Sequence, residues 1–153
     1  MELRRIKELP KLSHLAIERA VESFIKDSRV KNVDQVGMFN QTLESIAQAT
    51  MFSSNNAQHF WLADNGSDVM AYAIAHITKD IDNRLTYIIS QAWVAKELRG
   101  KKIVKIWFNQ IQEEAKRNLC KHVMFPASRD VKAYLRYLGR DYHTYATLIK
   151  REI

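Results

Sequence analysis

Proline and glycine are scarce in this chain of 153 residues, with two of the first and four of the second. Collagen-like repeats, propeller blades and low-complexity segments need many of both, so those architectures are excluded. Cys120 is the one cysteine, which rules out an internal disulfide and points to a reducing, cytoplasmic setting. No apolar run approaches the roughly 18 residues of a membrane span. The opening MELRRIKELPK lacks the apolar centre of a signal peptide. Cys120-x-His122 has no companion pair at metal-ligand spacing, so no metal site is expected. Gly-x-Ser-x-Gly, His-Glu-x-x-His and complete P-loop patterns do not occur.

What is present is ordinary in amount and uneven in place. Hydrophobic residues make up 46% and charged residues 27%, proportions of a globular chain. The length fits one domain over residues 1–153, at about 150 residues per domain. A chain of this size buries roughly 68–70% of its unfolded surface and needs no staple to fold. The net charge of +7 sits in the second part: residues 1–90 carry 10 basic and 11 acidic side chains, residues 91–153 carry 14 and 6. Nucleic acid, an acidic protein or a phosphorylated cofactor would each suit such a field.

Periodicity supplies the elements. Residues 2–7 read as a strand ended near Pro10. From Ser13, an N-cap, Leu15, Ala16, Ala20, Val21, Phe24 and Ile25 recur at helical spacing. A second helix runs from Asp34 to Phe52 with Val36, Phe39, Leu43, Ile46 and Ala47 on its stripe. Residues 59–63 and 69–77 read as a hairpin around Asn65-Gly66, and 84–95 as a third strand. A helix from Lys101 to Asn118 carries Ile103, Trp107, Ile111 and Ala115 on one face; Trp61 and Trp93 also read as core. A short strand at 120–125, a helix at 129–138 and a strand at 143–149 follow. The order β-α-α-β-β-β-α-β-α-β predicts an α/β (α+β) fold, with a mixed, mostly antiparallel sheet covered by helices on both faces.

That order, the length and the stretch Trp93-Val-Ala-Lys-Glu-Leu-Arg-Gly-Lys-Lys-Ile-Val-Lys105 resemble the GNAT superfamily of acyl-CoA N-acyltransferases. Arg99-Gly100-Lys101 matches the start of its Arg/Gln-x-x-Gly-x-Gly/Ala loop, and Ile103 matches the loop's apolar position. Ser128, Val131, Leu135, Leu138 and Gly139 follow the register of its last helix. The resemblance implies a strand edge at Gln91, Ala92, Trp93 and Val94 that pairs with the amide-rich arm of acetyl-CoA. It implies a pyrophosphate seat at the following helix N-terminus, where unpaired N–H groups and the helix dipole face the anion. It also implies an amine acceptor, with groups that handle the amine proton, the carbonyl oxygen and the leaving thiolate.

Three positions depart from the family pattern. Lys102 and Val104 stand where the loop has glycines; a positive φ at Val104 would be strongly disfavoured, and its side chain would compete for phosphate space. Lys96, Arg99, Lys101, Lys102 and Lys105 offset this by placing five cations around the helix start. Leu135 stands where the family has its proton-donating tyrosine; Tyr134 is the nearest substitute, and Tyr137 is its neighbour. Asp80 and Asp82 read as turn residues with a secondary reading as a base or cation site. His76 and His122 read as structural strand histidines.

Three functions fit these residues. The three departures together favour a GNAT-fold structural or interaction module with a degenerate cofactor site, engaging a protein partner or a second copy; small phage virion proteins are similar in size and motif decay. The alternative is an active acetyl-CoA-dependent N-acetyltransferase. The third is nucleic-acid binding through the basic C-terminal part, supported by charge alone.

Overall fold

The computed structural model describes residues 1–7, 14–28, 32–51 and 57–126, together with Lys132, Arg136 and Gly139. Ser13, the strand at 143–149, and most of the helix at 129–138, including Tyr134, Leu135 and Tyr137, lie outside the described residues. The elements are β1 (Arg4–Ile6), α1 (His14–Asp27), α2 (Asn32–Met51), β2 (Gln58–Asp64), β3 (Val69–Lys79), β4 (Leu85–Val94), α3 (Lys102–Arg117) and β5 (His122–Met124). One turn of 3-10 helix at Lys96–Leu98 separates β4 from α3 and was not expected from periodicity.

The five strands form one sheet in the order β1-β2-β3-β4-β5. Neighbours up to β4 are antiparallel, and β4 and β5 are parallel, joined across α3. A parallel pair needs such a crossover because a hairpin cannot return the chain in the same direction.

Both faces of the sheet are covered, so β2 and β3 read as continuous apolar runs. Phe60, Leu62, Val69, Tyr72 and Ile74 pack with α1 and α2 on one face. Trp61, Ala63, Ala71, Ala73, Ala75, Tyr87 and Ile89 pack with α3 on the other. On that second face the three alanines of β3 share a cluster with the bulky Trp61 and Trp107, small beside large. Two residues placed on apolar stripes are instead exposed: Leu15 by 53% and Val36 by 70%. Ile17 takes the inward position in α1, and Leu15 lies about 200° around the helix from it. In α2 the buried stripe turns toward Thr42, Ile46, Ala49 and Thr50.

Candidate functional site

Among the described residues the sheet opens at β4. Its pairing with β5 covers only Thr86, Ile88 and Tyr87 between them, opposite His122–Met124. Beyond Ile88, β4 runs six more residues with no β5 partner. On its other side the register with β3 shifts between Ile74 and Ala75, which pair with Gln91 and Ile89. Ser90 is the extra residue, and its hydroxyl donates to the Ile74 carbonyl at 3.2 Å. A bulge of this kind bends the strand and raises its twist, which turns β4 away from β5.

The exposed edge is supported from behind. Gln91 Nε2 donates to Thr42 Oγ1 at 2.9 Å, and the Thr42 hydroxyl returns a bond to Gln91 Oε1 at 3.2 Å. Thr42 is buried, so this pair ties α2 to the middle of β4. Trp93, half-buried, stacks on Tyr72 with ring centroids 6.2 Å apart. Ala92 is exposed and Val94 partly so.

The chain then turns tightly. Ala95 N–H donates to Met70 O at 2.9 Å, and Lys101 N–H to Leu98 O at 3.1 Å. Gly100 takes φ 75 in open space and lets the chain enter α3. Lys101 is the N-cap of α3 and makes no capping bond with its side chain; Lys102 is the first helical residue. The first turn of α3 holds no acidic residue, and Lys96, Lys101, Lys102 and Lys105 are all exposed around it. Cations at the positive pole of a helix are mildly unfavourable unless an anion meets them.

The expected backbone strain is not there. Neither Lys102 nor Val104 has positive φ; in this loop only Gly100 does. Val104 and Ile103 pack against the α3-side core, so the valine side chain is committed to the interior. Arg99 also differs from its reading as a phosphate-facing cation. Its Nε donates to the Val94 carbonyl at 2.8 Å, and its terminal nitrogen bonds the carboxylate of Asp27, the last residue of α1. That Arg99 bond holds the Asp27 carboxyl below its usual range, opposed by desolvation and helped by the Arg99 charge, the neighbouring Trp93 indole and the Lys96 charge.

Asp27, Thr42 and Ser90 escaped the sequence reading. One signal was available for Asp27: a carboxylate at the C-terminal pole of a helix is electrostatically misplaced unless a cation compensates. Asp80 is a turn residue. It accepts from the N–H groups of Asp82 and Arg84, both at 2.9 Å, and lies 3.7 Å from His122 Nδ1. Those backbone bonds, Arg84 first, hold its carboxyl below the usual range against some desolvation. Burial pushes the Cys120 thiol up, away from reactivity. Among the described residues no cluster of three or more metal-ligating side chains forms, and no helix is long and apolar enough to cross a membrane.

An open strand edge leading through a tight turn to an uncapped, lysine-ringed helix start is a seat for an elongated ligand with an amide arm and an anionic end. Known structures share this fold. The chain is similar over 99% of its length to a Pyrococcus furiosus protein assigned as an acetyl transferase, at 20% identity and TM-score 0.70, covering all of that protein. It is similar to an aminoglycoside acetyltransferase from an uncultured soil metagenomic sample, solved with sisomicin, at 11% identity and TM-score 0.65 over 99% of this chain and 95% of that one. An aminoglycoside N-acetyltransferase solved with CoA matches at 12% identity and TM-score 0.59, over 99% and 98% of the two chains. No curated protein sequence matches. Identities this low speak for the fold alone. The model of the acetyltransferase (GNAT) family matches residues 19–139, most of the chain. With the sheet, the open edge and the loop in place, the chain belongs to the GNAT acetyltransferase family.

Proposed function

We propose that the chain binds acetyl-CoA along β4 and at the start of α3, and that it transfers the acetyl group to an amine acceptor. The observation that carries this is the strand edge of β4 left by β5 after Ile88, running into the turn at Gly100. The residues fit the group: the edge from Gln91 to Val94 suits an amide-rich arm, and the uncapped first turn of α3 suits a pyrophosphate. Lys101, Lys102 and Lys105 hold the phosphates with Ile103 and Gly100 shaping the backbone, while Trp93 and Val94 line the arm. The bound cofactor supplies an activated acyl thioester. The open edge offers backbone N–H groups to a carbonyl oxygen that gains negative charge. Tyr134 is the proposed proton donor for the leaving group. A single domain over 1–153 and a cytoplasmic location belong to the same reading.

A second reading has a specific support: Lys102 replaces a loop glycine, and Leu135 replaces the tyrosine. These changes favour a non-catalytic GNAT-fold module, such as a virion component, that binds a protein partner or a second copy; nucleic-acid binding through the basic C-terminal part is a third reading, supported by charge alone. A thermal-shift titration with acetyl-CoA, CoA and ATP separates the first two. Ligand at about 100 times its dissociation constant adds roughly 2.7 kcal/mol. For a chain of this size that raises the midpoint by roughly 5–10 °C. Such a shift with both CoA ligands and none with ATP supports the transferase. No shift with any of them overturns cofactor binding and favours the module.

A further inference from the structure

We propose that Asp27 is a positioning residue for the phosphate-binding turn, acting through Arg99; this rests on the acyl-CoA reading above. The turn between β4 and α3 has to present its backbone at a fixed place, because N–H groups reward an anion only when they are already aimed. Its own bonds are local. Ala95 is anchored to β3 through Met70 O, and Leu98 and Lys101 close on Ala95 and Leu98. None of these ties the turn to α1.

Arg99 makes that tie. Its Nε bond to Val94 O closes a ring from the last residue of β4 to the residue before Gly100. Its terminal nitrogen meets Asp27, and the two side chains are 32% and 24% exposed. A guanidinium offers a planar fork, so one side chain can hold a carbonyl and a carboxylate at once in a single orientation. Held there, Arg99 fixes the entry to the turn, and the exposed lysines are left to meet an anion. Without the Asp27 charge the fork loses one of its two anchors. The ring to Val94 loosens, and Gly100 carries the slack into the start of α3. The effect falls more on the anionic end of a ligand than on the arm lying along β4.

The test compares CoA with S-acetylpantetheine, which keeps the arm and acyl group and lacks the phosphates. Dissociation constants are measured by NMR titration on the wild type, Asp27→Asn, Arg99→Gln and the double variant. Each single variant is expected to weaken CoA about tenfold, the scale of a lost charge-assisted bond. S-acetylpantetheine binding falls by much less, about twofold or under, and the double variant is no weaker than either single, because the two residues act as one unit. Unchanged or tighter CoA binding in Asp27→Asn overturns the role. So does an equal loss for both ligands, which marks general damage. A wild type that binds neither ligand overturns the acyl-CoA reading itself, a different result from a binding wild type with an indifferent Asp27→Asn. Should Asp27→Asn fail to fold, Arg99→Gln carries the same comparison.

Discussion

Tyr87 and His59 belong to strands that do not pair with each other, yet the phenol oxygen lies 2.7 Å from Nδ1 of the imidazole. Trp61 Nε1 donates to the same oxygen at 2.9 Å. The phenol oxygen accepts from the indole and shares a second hydrogen bond with the imidazole. All three side chains are buried, and Ala75, the register partner of His59, is a small residue of β3 between the two strands. Tyr87→Phe removes the bonds to both buried rings. The expected cost is about 2 kcal/mol. Thermal melting then falls by roughly 4–8 °C. A midpoint equal to the wild type counts against the network.

Tyr72 is the opposite case. It is buried, burial pushes its phenol far up, and its hydroxyl has no hydrogen-bond partner among the described residues. Removing an unpaired buried hydroxyl relieves desolvation and loses no bond. Tyr72→Phe is expected to melt at or above the wild-type temperature. A loss of more than about 1 kcal/mol would show that the hydroxyl has a partner in solution.

Acid stability provides a third check. Arg5 and Glu114 join β1 to α3 at 2.7 Å, with side chains 18% and 16% exposed. Burial alone raises the Glu114 carboxyl, but the Arg5 bond and charge, helped by Asn118, outweigh it and leave it below the usual range. The folded value lies under the unfolded one, about 4.3. The contribution is therefore full above that value and is lost as pH falls through the folded one. Arg5→Met is expected to cost about 1–3 kcal/mol near neutrality. The gap to the wild type should narrow in urea unfolding as pH falls below the unfolded value and Glu114 takes up its proton. A gap of constant size across that range would place the loss in packing.

Lys102 allows affinity and stability to be driven apart. It opens α3 at the positive pole of the helix. Lys102→Glu should stabilise the free protein by about 0.3–1 kcal/mol. The same change should weaken CoA binding, because a carboxylate then stands where an anion belongs. Calorimetry with and without CoA reads both signs. CoA affinity equal to the wild type would remove Lys102 from the phosphate seat.

Leu119 closes α3 in a conformation that favours glycine. Its φ is 61 and it is 75% exposed. Cys120 N–H returns to Ala115 O at 3.0 Å and Leu119 N–H to Lys116 O at 2.9 Å, the two bonds of a Schellman turn. Leu119→Gly should relieve about 1 kcal/mol of left-handed strain while giving up little packing. The midpoint should rise by roughly 2–4 °C. A lower midpoint would mean that the leucine packs in solution.

Local pattern made much of this fold legible. Trp107 was placed one turn after Ile103 on an apolar stripe, and it is buried in the α3-side core. The runs on either side of Asn65-Gly66 became the hairpin of β2 and β3. The β4–α3 turn was marked by Arg99-Gly100-Lys101. Ser90 was hidden because one extra residue leaves no mark on the apolar and polar pattern of a strand whose outer half is partly exposed. The Arg99–Asp27 pair was hidden because its partners lie 72 residues apart. Val104 misled through analogy: the turn meets its need for positive φ at Gly100, and the helix has begun before Val104 is reached.

The edge that β5 leaves bare along β4 is also a hazard. Among the described residues it is a row of backbone donors and acceptors on an apolar strand, the kind of template on which another chain can add and aggregation can start. The lysines at 96, 101, 102 and 105 stand just past the end of that strand, and a second copy approaching edge to edge would bring the same charges against them. Solubility should therefore fall as salt screens them, and a ligand lying on the edge should restore it.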